Sequence, residues 1–231
     1  MLLYTYDLIG YILIFGAFLV TLIADILLQS RYRKYKKIKV AKDITGAEVA
    51  RQILKSNGLD NVYVVETKGQ LTDHYDPTQK VVRLSTDIYN GRSIAAVSVA
   101  AHECGHAVQD KEGYTLLRIR AALVPFVNFS TRFGYVAILI GLIFQTFNIA
   151  WIGVGLLIFI LLFQLVTLPV EIDASDRAKK FLVKEQLISN KEKEGASKML
   201  TAAALTYVAA LLSSIAEILR LVLIIIGNDR D

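Results

Sequence analysis

The chain has 231 residues, 54% hydrophobic and 20% charged, an apolar excess over ordinary soluble domains. Its net charge of +5 is not a nucleic-acid footprint: Arg31 to Lys42 alone holds seven Lys/Arg and no acid, and without that run 19 basic residues face 21 acidic ones. The single cysteine, Cys104, excludes an intramolecular disulfide and is compatible with a reducing compartment.

Leu8 to Leu28 is almost wholly apolar. At ~1.5 Å per residue it is long enough to cross a hydrocarbon core of ~30 Å. A secretory signal carries its positive charge ahead of the apolar stretch, whereas here the charge follows, so residues 8–28 read as a retained transmembrane helix. The basic run behind it predicts an N-terminus outside and residue 29 onward in the cytosol. Residues 29–120 then form an aqueous domain. Thr45 and Glu48 fit a capping box, with Val49, Ala50, Ile53 and Leu54 at helical spacing behind them and Gly58 as a stop. Val62 to Val65 and Lys80 to Leu84 read as strands, with Asp76-Pro77 supplying a turn between. A second helix is expected from about Ser93 to Gln109.

Residues 121–147 form the next apolar stretch. Pro125, Asn128 and Arg132 interrupt it, so its start is expected to be kinked or partly interfacial. Residues 149–170 make a cleaner third span, with Trp151 near one end. The short uncharged connection at Gln145 to Asn148 suits an outward hairpin. The polar segment 171–200, seven of whose residues are Lys/Arg, should return to the cytosol, and residues 205–226 complete a four-span topology. Residues 31–120 and 171–200 thereby share one compartment. Four charges fall within the spans. Charges in a membrane are usually paired, which predicts Asp25 with Arg132 and Glu217 with Arg220.

The chemistry concentrates in His102-Glu103-Cys104-Gly105-His106. Histidines four apart on a helix project about 40° from each other, so both imidazoles can bind one Zn²⁺. Glu103 lies where its carboxylate can hold the attacking water and take its proton, the arrangement of metal-assisted amide hydrolysis. The preceding helix, rich in alanine and valine from Ile94 to Ala101, looks buried, and two of the three histidines in the chain form this pair. Burying them with a carboxylate and no partner would be costly. A catalytic zinc needs a third protein ligand and an open position. His74 and the acidic set Glu171, Asp173 and Asp176 all stand in the right compartment, and the residues alone do not choose among them. Cys104 projects away from the histidine face and reads as a packing residue.

Ala100-Ala101-His102-Glu103-Cys104-Gly105-His106-Ala107-Val108-Gln109, with Leu71-Thr72-Asp73-His74-Tyr75-Asp76-Pro77 upstream and Pro169-Val170-Glu171-Ile172-Asp173-Ala174-Ser175 downstream, resembles the bacterial YugP family of neutral zinc metallopeptidases over nearly the whole chain. More distantly it is similar to HtpX-type and CAAX prenyl-protease-type membrane gluzincins, whose third zinc ligand is the Glu of an E-x-x-A-D-like motif on a later helix. Carried onto this chain, the resemblance implies Glu171 as that ligand. Ser175 stands where the family pattern has an Asp that supports a ligating histidine, so Asp173 or Asp176 becomes an alternative support. For His74 the resemblance favours hydrogen bonding to the reaction's oxyanion, over a turn histidine stabilised by Asp73 or Asp76.

The fold expected is therefore mainly α: a four-span helical membrane protein with a cytosolic, zincin-like α+β domain made of the histidine helix and a small sheet. The activity expected is a metalloendopeptidase at the cytosolic face of the plasma membrane. It would take one zinc per chain, a peptide or membrane-protein substrate, the lipid bilayer and no nucleic acid. The sequence does not give its oligomeric state. A non-catalytic metal-binding scaffold is the alternative, but it has no need of Glu103; a transporter would need more than a few scattered charges.

Overall fold

The computed structural model describes the backbone of residues 2–228 and the side chains of residues 8–228. In chain order the elements are α1 (Leu2–Lys36), α2 (Gly46–Ser56), β1 (Tyr63–Thr67), β2 (His74–Asp76), β3 (Val81–Ser85), α3 (Thr86–Tyr89), α4 (Ile94–Lys111), α5 (Thr115–Ile143), α6 (Phe147–Lys184) and α7 (Asn190–Asn228). They group into two compact units, one of Met1–Asp25, Ile119–Leu168 and Thr206–Asp231, the other of Ile26–Arg118 and Pro169–Leu205.

The first unit is helical. Helices α1, α5, α6 and α7 are each long and apolar enough to cross a membrane. Small residues let α5 and α6 meet closely: a Cβ on Gly141 would lie 2.4 Å from the Ala150 nitrogen, and one on Gly153 would lie 2.6 Å from the Gly134 oxygen. Close backbone approach of this kind is how helices associate where lipid offers no hydrophobic drive. Ile138, Val154, Leu157, Leu221 and Ile225 fill the interior, while Phe126, Phe133, Leu139, Ile143 and Ile152 point outward. Helix α5 continues through Pro125; transmembrane helices tolerate such a proline. The expected Asp25–Arg132 pair is not formed. Both side chains are exposed and take no ionic partner among the described residues. Glu217 and Arg220 do pair, at 3.4 Å.

The second unit is α+β. The Thr45 hydroxyl accepts from the Glu48 amide at 3.1 Å and the Glu48 carboxylate accepts from the Thr45 amide at 2.7 Å, the reciprocal cap expected from sequence. At the other end Gly58 takes φ +64°, and the amides of Gly58 and Leu59 return to the carbonyls of Lys55 and Leu54, a Schellman stop. The buried stripe Val49, Ala50, Ile53 and Leu54 seats α2 against α4. The sheet has the order β1-β3-β2. Strand β3 is central and buried, parallel to β1 and antiparallel to β2. Tyr75 of β2 donates to Asp110 at 2.8 Å and Lys80 pairs with the same carboxylate at 2.6 Å, tying the sheet to the end of α4. Most of the polar segment expected at 171–200 is helical, as the continuations of α6 and α7.

Candidate metal centre

Helix α4 opens at Ser93, whose hydroxyl accepts from the Ala96 amide at 3.2 Å. The same end is anchored from outside the helix, because the Ile94 amide also donates to the Ile38 carbonyl at 2.9 Å. Almost every residue from Ile94 to Gln109 is buried, so the histidine pair sits on an interior helix. The imidazoles of His102 and His106 lie edge to face, with ring centres 4.8 Å apart.

Helix α6 supplies the acid. One oxygen of Glu171, a residue 2% exposed, lies 3.1 Å from His102 Nε2 and 3.5 Å from His106 Nε2. The ligand atoms of these three residues all fall within 4.8 Å of one another. This proximity depends on Gly105. A Cβ there would stand 2.7 Å from the Ala174 carbonyl oxygen and 3.1 Å from its Cα, so the glycine is what lets α4 lie against the backbone of α6.

Each imidazole is held from behind. The Ser175 hydroxyl is 3.2 Å from His102 Nδ1, so the serine itself occupies the supporting place that the resemblance assigns to an aspartate. Gln109, fully buried, donates its amide hydrogens to the Val170 carbonyl and to Asp173, both at 2.8 Å. Asp173 is in turn held by Arg177 at 2.6 Å, and Arg177 by Glu112 at 2.8 Å. Two acceptors on the Gln109 nitrogen leave its oxygen facing His106 Nδ1 at 2.9 Å. Because that oxygen only accepts, Nδ1 of His106 carries a proton, and Nε2 is the nitrogen turned toward Glu171 and available to a metal.

That nitrogen faces a carboxylate oxygen 3.5 Å away. A proton on the imidazole holds the pair together in the metal-free chain, and a bound cation would take that proton's place. The electrostatics agree. Burial alone would push His106 down and Glu171 up, but their mutual hydrogen bonding reverses both: His106 is raised, and Glu171 is held far below the usual carboxylate range by His102 and His106. Tetrahedral zinc with nitrogen and oxygen ligands at ~2.0–2.1 Å places neighbouring ligand atoms about 3.3 Å apart, close to the 3.1 and 3.5 Å found here. Two imidazoles, each oriented through its second nitrogen, plus one carboxylate form a donor set that fits Zn²⁺.

Glu103 is buried, and burial pushes its carboxyl up, against the opposing pull of His102 and His106. Cys104 points the other way: its fully buried thiol donates to the Ala50 carbonyl at 3.6 Å, the packing role expected. Asp176 pairs with Lys179 at 2.6 Å rather than supporting a histidine. His74 is not in the cluster. It is exposed at the start of β2, and its Nδ1 lies 2.8 Å from the Thr72 carbonyl oxygen. Asp73 instead accepts from the Ser85 amide at 2.7 Å, and Asp76 from the amides of Thr78 and Gln79. An oxyanion role for His74 rests on the family resemblance alone. Gln109, Arg177 and Gly105 were not singled out from sequence, although Gln109 stands three residues beyond His106 and so shares its helix face.

The family described as "Putative neutral zinc metallopeptidase" matches residues 10–226. The chain is also 48% identical, over 208 residues, to "Putative membrane protease YugP" of Bacillus subtilis (strain 168), an alignment covering 90% of this chain and 92% of that protein. No solved structure matches significantly. The chain belongs to this zinc metallopeptidase family.

Proposed function

We propose that this family member is a zinc-dependent endopeptidase of the plasma membrane, with its active site on the cytosolic side. The observation that carries the reading is the convergence of His102, His106 and Glu171 beside a buried Glu103. His102 Nε2, His106 Nε2 and the Glu171 carboxylate would hold the metal. Zinc, when bound, supplies the positive charge that polarises a scissile carbonyl and makes water acidic enough to attack near neutral pH. Glu103 takes the proton of the attacking water and returns it to the leaving amine. Ser175 and Gln109 keep the two rings in the tautomer and orientation that binding needs. The relative's printed name, a membrane protease, supports peptide bonds as the substrate class, and the basic residues of 31–42 and 171–198 support a cytosolic site.

Membrane vesicles test activity and orientation together. A peptide library should be cut internally when added to inside-out vesicles and left intact by sealed right-side-out ones. A zinc chelator should abolish the cleavage and added zinc should restore it. Cleavage in right-side-out vesicles would overturn the orientation; cleavage that survives chelation would overturn the metal mechanism.

Gln109→Leu removes the acceptor of the His106 Nδ1 proton and both bonds to α6. Zinc affinity should fall roughly 10–100-fold, as for other outer partners of ligating histidines. Competition with a chromophoric chelator measures it, and an unchanged affinity would remove Gln109 from the account.

A further inference from the structure

Within the second unit, Gly195 sets how closely α7 lies to α1: a Cβ there would stand 2.9 Å from Tyr35 Cε1 and 3.1 Å from Ile94 Cδ1. Beside that contact the two helices border an open groove of about 180 Å³, lined by Leu27 and Arg31 of α1 and by Ser197, Lys198, Thr201 and Leu205 of α7. The lining is graded. Residues four apart share a helix face, so Leu27 stands with Arg31, and Ser197, Thr201 and Leu205 form one row. Tyr35 meets Gly195 while Leu27 and Leu205 border the same groove, so the helices run antiparallel here. The two leucines therefore lie at one end, and the cations and hydroxyls at the other. Arg31 is the first basic residue of the chain, and Lys198 is the last charge of α7 before Glu217. The groove thus straddles the level at which both helices pass between apolar and charged sequence, which is the level of phospholipid headgroups.

Its polar groups are available. Arg31 takes no ionic partner among the described residues, and Lys198 is paired only with Glu194, one turn back, an exposed bridge of little strength. Hydroxyls inside helices can return to the carbonyl four residues earlier, as those of Thr21 and Thr131 do. The Ser197 and Thr201 hydroxyls make no such bond and have no other partner among the described residues. A guanidinium fork beside two unengaged hydroxyls matches the oxygens of a phosphate, and the leucines match an acyl chain. The volume is below the ~300–1,000 Å³ of sites that take a whole small molecule, and it suits one headgroup whose chains stay in the bilayer. A choline or ethanolamine headgroup would bring its own cation against Arg31 and Lys198. We propose that the groove seats the phosphate of an anionic phospholipid such as phosphatidylglycerol. Arg31 and the hydroxyls of Ser197 and Thr201 donate to its oxygens, Lys198 adds a second positive charge, and Leu27 and Leu205 flank an acyl chain. None of these residues belongs to the metal cluster, so lipid binding is separable from hydrolysis.

Native mass spectrometry of the full chain in a nonionic detergent, titrated with phosphatidylglycerol or phosphatidylcholine, tests this. One phosphatidylglycerol should bind about tenfold or more tightly than phosphatidylcholine, and Arg31→Gln should remove about that advantage. Arg31→Lys should weaken binding about threefold, because the charge stays but the fork is lost. Thr201→Val should also cost about threefold, the scale of one hydrogen bond, with no change of charge. Lys37→Gln removes an exposed cation of the same basic run that lies outside the groove. It should leave the affinity nearly unchanged, since a single lipid in neutral detergent sets up no surface potential. An unchanged melting temperature reports an intact fold, and the exposed Thr201→Val carries the test if the Arg31 variants do not fold. Equal affinity for the two lipids would overturn the proposal. So would equal losses from Arg31→Gln and Lys37→Gln with Thr201→Val silent, the signature of diffuse attraction to a basic surface. Displacement of the lipid by equimolar glycerol phosphate would make the occupant a soluble phosphate ester and overturn the assignment to lipid.

Discussion

Glu103→Gln is expected to lower kcat for peptide hydrolysis by about 10²–10⁴-fold, the scale of a lost general base, while the protein keeps its zinc. The reasoning separates the two effects by position. Glu103 is not among the three residues whose donor atoms converge, so exchanging its carboxylate for an amide of nearly the same volume leaves the donor set intact. The group is buried and the exchange leaves its shape and packing in place, so thermal stability should hold. Activity, zinc content and melting temperature measured on one preparation decide the matter. Loss of turnover with zinc and stability retained is the signature of a catalytic base; full activity would sink the mechanism, and an unaffected cellular phenotype would favour a metal-binding scaffold.

Gly105→Ala should damage stability and metal binding together. The added methyl would stand 2.7 Å from a backbone oxygen of Ala174, and no side chain can rotate away to relieve it. Helices α4 and α6 must separate, and overpacking of this kind costs about 1–3 kcal/mol. The separation also acts where His102 and His106 of α4 meet Glu171 of α6 at 3.1 and 3.5 Å. Zinc affinity should therefore fall by at least about tenfold, comparable with loss of an outer-layer partner. A thermal shift in detergent and a chelator competition give the two numbers. A variant with wild-type affinity would show that the helix contact does not set the site.

How far the site could be read in advance depended on the range of each contact. His102, Glu103 and His106 were legible because a spacing of four on a helix is local geometry. So was the Thr45–Glu48 cap. Glu171 lies 69 residues from His102, and the pairing belongs to tertiary packing; without the family resemblance it stood level with His74, Asp173 and Asp176. The support of His106 by Gln109 was hidden for the same reason, since the amide is aimed by a carbonyl and a carboxylate of α6. Gly105 gave no sign of its role, because its value lies in what a neighbouring backbone would otherwise strike. Strand β2 spans three residues, too few for an alternating pattern to register, and its existence depends on pairing with β3. The Asp25–Arg132 pair failed because shared depth in a bilayer does not place two side chains on facing helix surfaces.

The central claim is that two imidazoles and a carboxylate hold one zinc, and Cys104, lodged between the histidines in sequence, makes it sharply testable. X-ray absorption at the zinc edge of the purified protein should show one metal per chain with only nitrogen and oxygen neighbours at about 2.0–2.1 Å. A sulfur neighbour at about 2.3 Å, or protein that binds no zinc when it is supplied, would contradict the account.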